Sequence, residues 1–368
     1  MALLFTNGFD HQYGRTLFHG FPFYGLNSTA TRPNIAATQG RDGGVALEVW
    51  VQQFHEEIDE DAGGHVDLDV AGDLYFGLWM KAHNALPDAG LIRLCYIEVA
   101  DSRVLQVWAN YQASTVYGQP AQSVALWDGT DDIAHAGDTA GSMSGTMIAV
   151  SSSGSFLSNT NHLMSFALER GSGSGRFQMV SNGVSLLDVD PVDELDVADG
   201  AITKVVLSMR ARDQSGSNRQ TWLDDIWFDD ERAYNDPRLV TYQPVAQGFY
   251  SDGTPTGAAT GWEAVAGAPP DLGEYVTLAS GDKDSHEFAT VGDAGRAGIG
   301  GVTHRMALRT DLPVKVFHRE DSADTEVAEH PASSVNTQRL AIMPVNPSTS
   351  EPWTLSELSD AEFGIEAP

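Results

Sequence analysis

HLMSFALERGSGSGRFQMVSNGVSLLDV, residues 162–189, reads as three short strands and the turns between them. Met164, Phe166 and Leu168 alternate with Ser165, Ala167 and Glu169, the period of a strand with one buried face. GSGSG breaks the run. FQMV and VSLL then flank Ser181-Asn182-Gly183, and Asn-Gly supplies the positive φ angles that a two-residue hairpin turn requires.

Similar text extends in both directions. Strand-like runs cover 45–51, 73–80, 91–99, 104–108, 147–150, 203–210 and 221–228, with ALPDAG, DGTDD and DQSGSN among the breaks. Regular short strands with polar turns and almost no helical period predict an all-β fold, a jelly-roll β-sandwich. ERAYNDP, residues 231–237, is polar and ends in proline. Strand-like text then resumes with LVTYQPV, EYVTLASG, HRMALRT and VKVFHRE. The expected domains are 1–232, the sandwich, and 233–368, a smaller β domain closed by a short helix. Thr354 and Glu357 form a capping box for that helix. VQQFHEE, residues 51–57, reads as a short helix or the continuation of a strand.

The 368-residue chain is 42% hydrophobic, enough for a sizeable core. Its 51 acids against 21 bases give a formal net charge of -30. Such a surface repels nucleic acid and anionic lipid, so neither is an expected partner. Lys81, Lys204, Lys283 and Lys315 are the lysines, and arginine supplies the other bases. Two accounts fit this balance: adaptation to high salt, where self-repulsion is screened, or an arginine-rich codon usage with a soluble acidic surface. Cys95 is alone in an apolar run and reads as a buried small hydrophobe. No apolar run approaches the roughly 20 residues of a membrane span. The N-terminal MALLFTNGFDHQYG lacks the basic and apolar regions of a signal peptide, so synthesis in a cytoplasm is expected, with any outside surface reached by another route.

Several stretches in order resemble a known family. They are Phe9-Asp10-His11 with Tyr13, GRDGG at 40–44, the 162–189 meander, and Leu223-Asp224-Asp225-Ile226. Later come Gly261-Trp262, Asn346-Pro347, Trp353-Thr354 and Glu362-Phe363-Gly364. Together they resemble the concanavalin A-like (laminin-G-type) jelly-roll structural proteins of tailed viruses. The resemblance implies a virion component on tail, baseplate or head that acts by assembly with other virion proteins and has no enzymatic activity. It implies a homo-oligomer, with a trimer favoured, and makes Trp353 and Phe363 candidate interface anchors. The alternative is a glycan-binding adhesin that mediates host attachment.

The chemistry-bearing candidates are few. Glu194-Leu195-Asp196-Val197-Ala198-Asp199 approximates the Glu-x-Asp-x-x-Glu of retaining glucanases on this fold, but its last acid is a methylene short and the segment, rich in acids with Pro191, reads as a loop. No H-E-x-x-H, G-x-S-x-G or phosphate-cradling glycine pattern occurs. Sandwich domains of carbohydrate-binding proteins often close on a strand like Leu-Asp-Asp-Ile. Asp224 and Asp225, with Asp10, are therefore candidate ligands of a structural Ca2+. Trp127 and Tyr117 lie in loop-like text within or beside a polar insert, 119–157, and are candidate sugar-stacking aromatics. TWLDDIWFDDE, residues 221–231, is the expected closing strand of the sandwich. Strict alternation would put Trp222, Asp224, Ile226 and Phe228 on one face of it.

The two accounts of the acidity separate in a salt series followed by circular dichroism. Under high-salt adaptation the fold is lost in dilute buffer and regained near molar salt; under codon usage the melting curve is unmoved by salt.

Overall fold

The computed structural model describes residues 3–7, 23–25, 34–36, 41, 46–51, 63–82, 91–116, 118–129, 146–157, 160–212, 219–234, 239–266, 273–289 and 298–368. The chain divides into two compact units, residues 22–238 and residues 239–368 with 1–21. The early strands in chain order are β1 (Leu3–Asn7), β2 (Phe23–Gly25), β3 (Asn34–Ala36), β4 (Ala46–Val51) and β5 (Gly63–Val70). Next come β6 (Leu74–Ala82), β7 (Leu91–Val99), β8 (Ser102–Asn110), β9 (Ser123–Asp128) and β10 (Met147–Val150). Then follow β11 (Asn161–Glu169), β12 (Gly175–Ser181), β13 (Val184–Val192), β14 (Ile202–Arg212) and β15 (Arg219–Asp229).

The unit 22–238 is a jelly-roll sandwich of two antiparallel sheets. One runs β13-β12-β11-β6-β15-β4-β3 and the other β10-β9-β8-β7-β14-β5-β2. The predicted alternation in β11 holds, with Met164, Phe166 and Leu168 almost fully buried. The hairpin turn also forms where expected: Asn182 and Gly183 have φ of 50° and 78°, and Ser181 pairs with Val184. Phe76 on β6 stacks on Phe166 at 4.6 Å and on Phe228 at 5.3 Å, which knits three neighbouring strands into the inter-sheet layer. The opposing layer of the second sheet is Cys95, Ile97, Leu105, Val107, Val205 and Leu207, all buried. Cys95 is thus the buried hydrophobe that its apolar run suggested, and burial pushes its thiol far above the usual range.

Two expectations need correcting. The insert 119–157 is not one loop, because Ser123-Val124-Ala125-Leu126-Trp127-Asp128 pairs with β8 as strand β9, and β10 pairs with β9. Strand β15 closes the unit in sequence as expected and lies between β6 and β4 in its sheet, but its strict alternation breaks. A bulge falls between Asp224 and Trp227, with Asp225 at φ 48°. One extra residue shifts the phase, so Leu223 and Phe228 both face inward, opposite Met80 and Phe76. Trp222, Asp224, Trp227 and Asp229 share the other face.

The second unit adds β16 (Pro244–Ser251), β17 (Thr254–Thr256), α1 (Gly261–Val265), β18 (Tyr275–Thr277), β19 (Lys283–Phe288) and β20 (Val302–Thr310). It ends with β21 (Val314–Glu320), β22 (Ala323–His330), β23 (Ser333–Met343), α2 (Leu355–Asp360) and β24 (Glu362–Glu366). A sheet runs β16-β19-β24-β21-β22, β20 pairs with β23, and β17 with β18. The predicted capping box starts α2: Glu357 N–H donates to Thr354 Oγ1, and Thr354 N–H donates to Glu357. Met343, Trp353, Ala361 and Phe363 form the core. Trp353 and Phe363, the candidate interface anchors, are only 3% and 4% exposed, and Trp353 Nε1 donates to Met343 O at 3.1 Å. They turn inward against Phe288, Val302 and Leu358, which pack on the same cluster.

Histidines line this core. His318 is fully buried against Trp353 and Phe363, and His304 lies against Phe288 and Phe363. Burial pushes His304 down to about 3 and His318 to about 4, and lowers His330. The unfolded chain takes up protons below about pH 6.5, whereas these folded imidazoles stay neutral until well below that. The histidine contribution to stability is therefore complete above pH 6.5 and falls as pH drops toward 4. Thermal melts across that window will show the decline, and His304→Leu will flatten it.

Candidate functional site

Register places one row of paired residues across the seven-stranded sheet. Tyr24 pairs with His65, His65 with Val206, Val206 with Tyr96, Tyr96 with Gln106, Gln106 with Trp127, and Trp127 with Met147. Paired residues project to one face, here the face opposite the apolar inter-sheet layer. At ~4.8 Å per strand, His65 and Trp127 stand ~19 Å apart along the row.

The centre of this face is polar and aromatic. The Arg93 guanidinium lies 4.7 Å from the Tyr96 ring and 5.6 Å from that of Trp108. Gln106 Oε1 accepts from Arg93 Nη1 at 3.1 Å and from Trp108 Nε1 at 3.3 Å. Arg93, Gln106 and Trp108 are essentially fully buried, and Tyr96 is 8% exposed. Buried charge needs partners, and two ring faces and an amide oxygen supply them here. Trp108, Ala125, Trp127 and Leu91 form a cluster at one end, and the Trp127 Nε1–H has no hydrogen-bond acceptor among the described residues. At the other end Lys204 Nζ pairs with Glu98 at 3.0 Å, and His65 Nε2 lies 3.7 Å from Asp67. Burial lowers the His65 pKa, with Asp67 opposing it.

The face thus holds Trp127, which the sequence had marked, but on a strand and 5% exposed rather than in a loop. Tyr117 and Asp10 lie outside the described residues. The polar centre of the row went unmarked. Its one available signal was an arginine inside an apolar strand, LIRLCYIEV, which demands a neutralising environment.

Asp224 and Asp225 lie on the other sheet, both 4% exposed. Arg41 N–H donates to Asp224 Oδ2 at 2.9 Å, and Arg41 Nη1 contacts Asp225 Oδ2 at 3.1 Å. Asp225 N–H donates to Asp224 Oδ1 at 2.8 Å. The Asp pair therefore engages Arg41 through its backbone and its guanidinium. Among the described residues no group of three or more His, Cys, Asp or Glu is placed to hold a metal ion. Glu194 and Asp199 lie in two 3₁₀ turns, Asp193–Leu195 and Val197–Asp199, as the loop reading of that segment expected.

No family model and no curated protein matches the chain. Solved structures do. The alginate lyase Aly36B is similar at 15% identity over 62% of this chain and 98% of its own, with a TM-score of 0.41. Cellulose induced protein Cip1 is similar at 14% over 64% of this chain and 100% of its own, with a TM-score of 0.40. The alginate lyase vAL-1 from Chlorella virus is similar at 9% over 54% of this chain and 89% of its own, with a TM-score of 0.38. The exclusion of enzymatic activity is corrected by these findings, because alginate lyases are enzymes and several are among the similar structures. The fold itself rests on the strand order and register above.

Gln106→Leu removes the acceptor shared by Arg93 and Trp108. It will destabilise the unit by about 1.5–3 kcal/mol, the worth of a hydrogen bond to a charged group, read by denaturant unfolding.

Proposed function

We propose that the protein binds a glycan chain along the row that runs from His65 to Trp127 on the seven-stranded sheet. The observation that carries this reading is the composition of that row and its flanks. Tyr96 and Trp127, 8% and 5% exposed, reach the surface beside the buried Arg93, Gln106 and Trp108, and the partly exposed His65, Lys204 and Glu98 offer donors and acceptors, on one face of a rigid sheet. Sugars present apolar C–H faces and a rim of hydroxyls, and aromatic rings with fixed polar groups match both. A row about 19 Å long fits an extended oligosaccharide rather than a single sugar. The carbohydrate-active proteins similar in fold agree with this ligand class. Whether the bound chain is also cleaved is read in the same mixtures, as newly formed chain ends.

A second reading adds a location. The ordered motifs that resemble tailed-virus jelly-roll proteins favour a particle component that uses this face in host attachment. Mass spectrometry of purified particles tests it, and absence of the chain from them removes it.

Glycan arrays and calorimetry test the binding face. Saturable binding of an oligosaccharide is expected, weakened roughly tenfold or more by Tyr96→Phe with Trp127→Phe, while the melting curve still shows a folded unit. Binding unchanged in that variant, or no glycan bound by the native chain, removes the proposal.

A further inference from the structure

We infer that the β20–β23 ribbon is a self-association surface, and that it docks on the acidic 188–199 segment of a second copy of this chain. Residues 239–368 hold seven Lys and Arg against nineteen Asp and Glu. Three of those seven, Arg305, Arg309 and Arg339, lie on β20 and β23, and neither strand carries an acid. The ribbon is thus a basic island in an acidic molecule.

It is two-faced. Val302, His304 and Met306 pair with Met343, Ala341 and Arg339, and the first two of these pairs belong to the side that meets the core. Thr303 and Arg305 pair with Ile342 and Leu340 on the other side. At the far end Ala307 and Arg309 are exposed, and Leu312 and Val335 are 50% and 49% exposed. A two-stranded ribbon is marginal unless another layer covers it. Exposed aliphatic side chains beside an arginine have the composition of a contact surface.

The occupant is set by charge. The partner must be acidic, carry some exposed apolar surface and tolerate a basic strand. The 188–199 segment holds Asp188, Asp190, Asp193, Glu194, Asp196 and Asp199 without a single base. Asp188 is engaged by Arg176, and Asp196 accepts from Ala198 N–H, whereas Asp190, Asp193 and Asp199 are exposed. Val197, 45% exposed, lies within the segment, and Val184, 60% exposed, begins the strand that leads into it. Two acidic molecules repel at long range, and this pairing supplies the local attraction that overcomes it.

Sedimentation velocity of the full chain over a concentration series tests the inference. The native chain is expected to associate. Arg309→Glu with Val335→Asp should raise the dissociation constant roughly tenfold or more, as should Asp190→Arg with Asp193→Arg. All four positions are exposed, so melting curves should stay close to native. Combining both pairs in one chain restores opposite charges and should recover association. A native chain that stays monomeric overturns the inference, and so does association that ignores either reversal.

Discussion

Phe76 lies between Phe166 and Phe228 in the inter-sheet layer, and the sandwich is organised around that contact. Stacking of three rings on three adjacent strands fixes their register, because a slip of one residue would turn every ring out of the core. What lies on the opposite face follows. Next to Phe76, Gly77 must be glycine: a Cβ there would stand 2.8 Å from the Trp227 ring and 2.4 Å from Met164 O. The bulge at Asp225 lets β15 satisfy the same register, bringing Phe228 inward while Trp227 covers Gly77 from outside. Tyr234 then packs edge-on against Trp227 and donates to Asp229 Oδ2 at 2.7 Å, which anchors the end of the strand.

The seven-stranded sheet obeys the same two-sided rule with a different result. Ile97, Leu105, Val107, Val205 and Leu207 with Cys95 make its inward layer apolar, so the demands of packing are met on that side. The other side is left to carry polar chemistry, and it gathers a buried arginine, an amide and three large rings. A charge held this far from solvent costs free energy unless its environment is arranged in advance. That arrangement is what makes the face a better candidate for recognition than the many solvated carboxylates elsewhere in this acidic chain.

Several features could be read directly from the chain. The 162–189 meander, its Asn-Gly turn and the capping box at Thr354 are local, and local sequence specifies them through turn geometry and side-chain reach. Trp127 was legible as noteworthy but not as a strand residue, since SVALWD is short and sits between polar segments. Trp353 and Phe363 looked like anchors for a partner because sequence shows aromatic content without showing which way it points.

The sequence by itself determined an all-β chain, its strongly acidic charge balance and the alternating strands, because each depends on composition or on neighbours a few residues apart. Only the tertiary structure decided which faces meet. The row from His65 to Trp127 joins strands β5, β14, β7, β8 and β9, and its paired neighbours His65 and Val206 are far apart in the chain, so no local pattern could assemble it. The phase break in β15 likewise answers to β6 rather than to its own residues. Period-two alternation is a property of one strand, and register is a property of the pair.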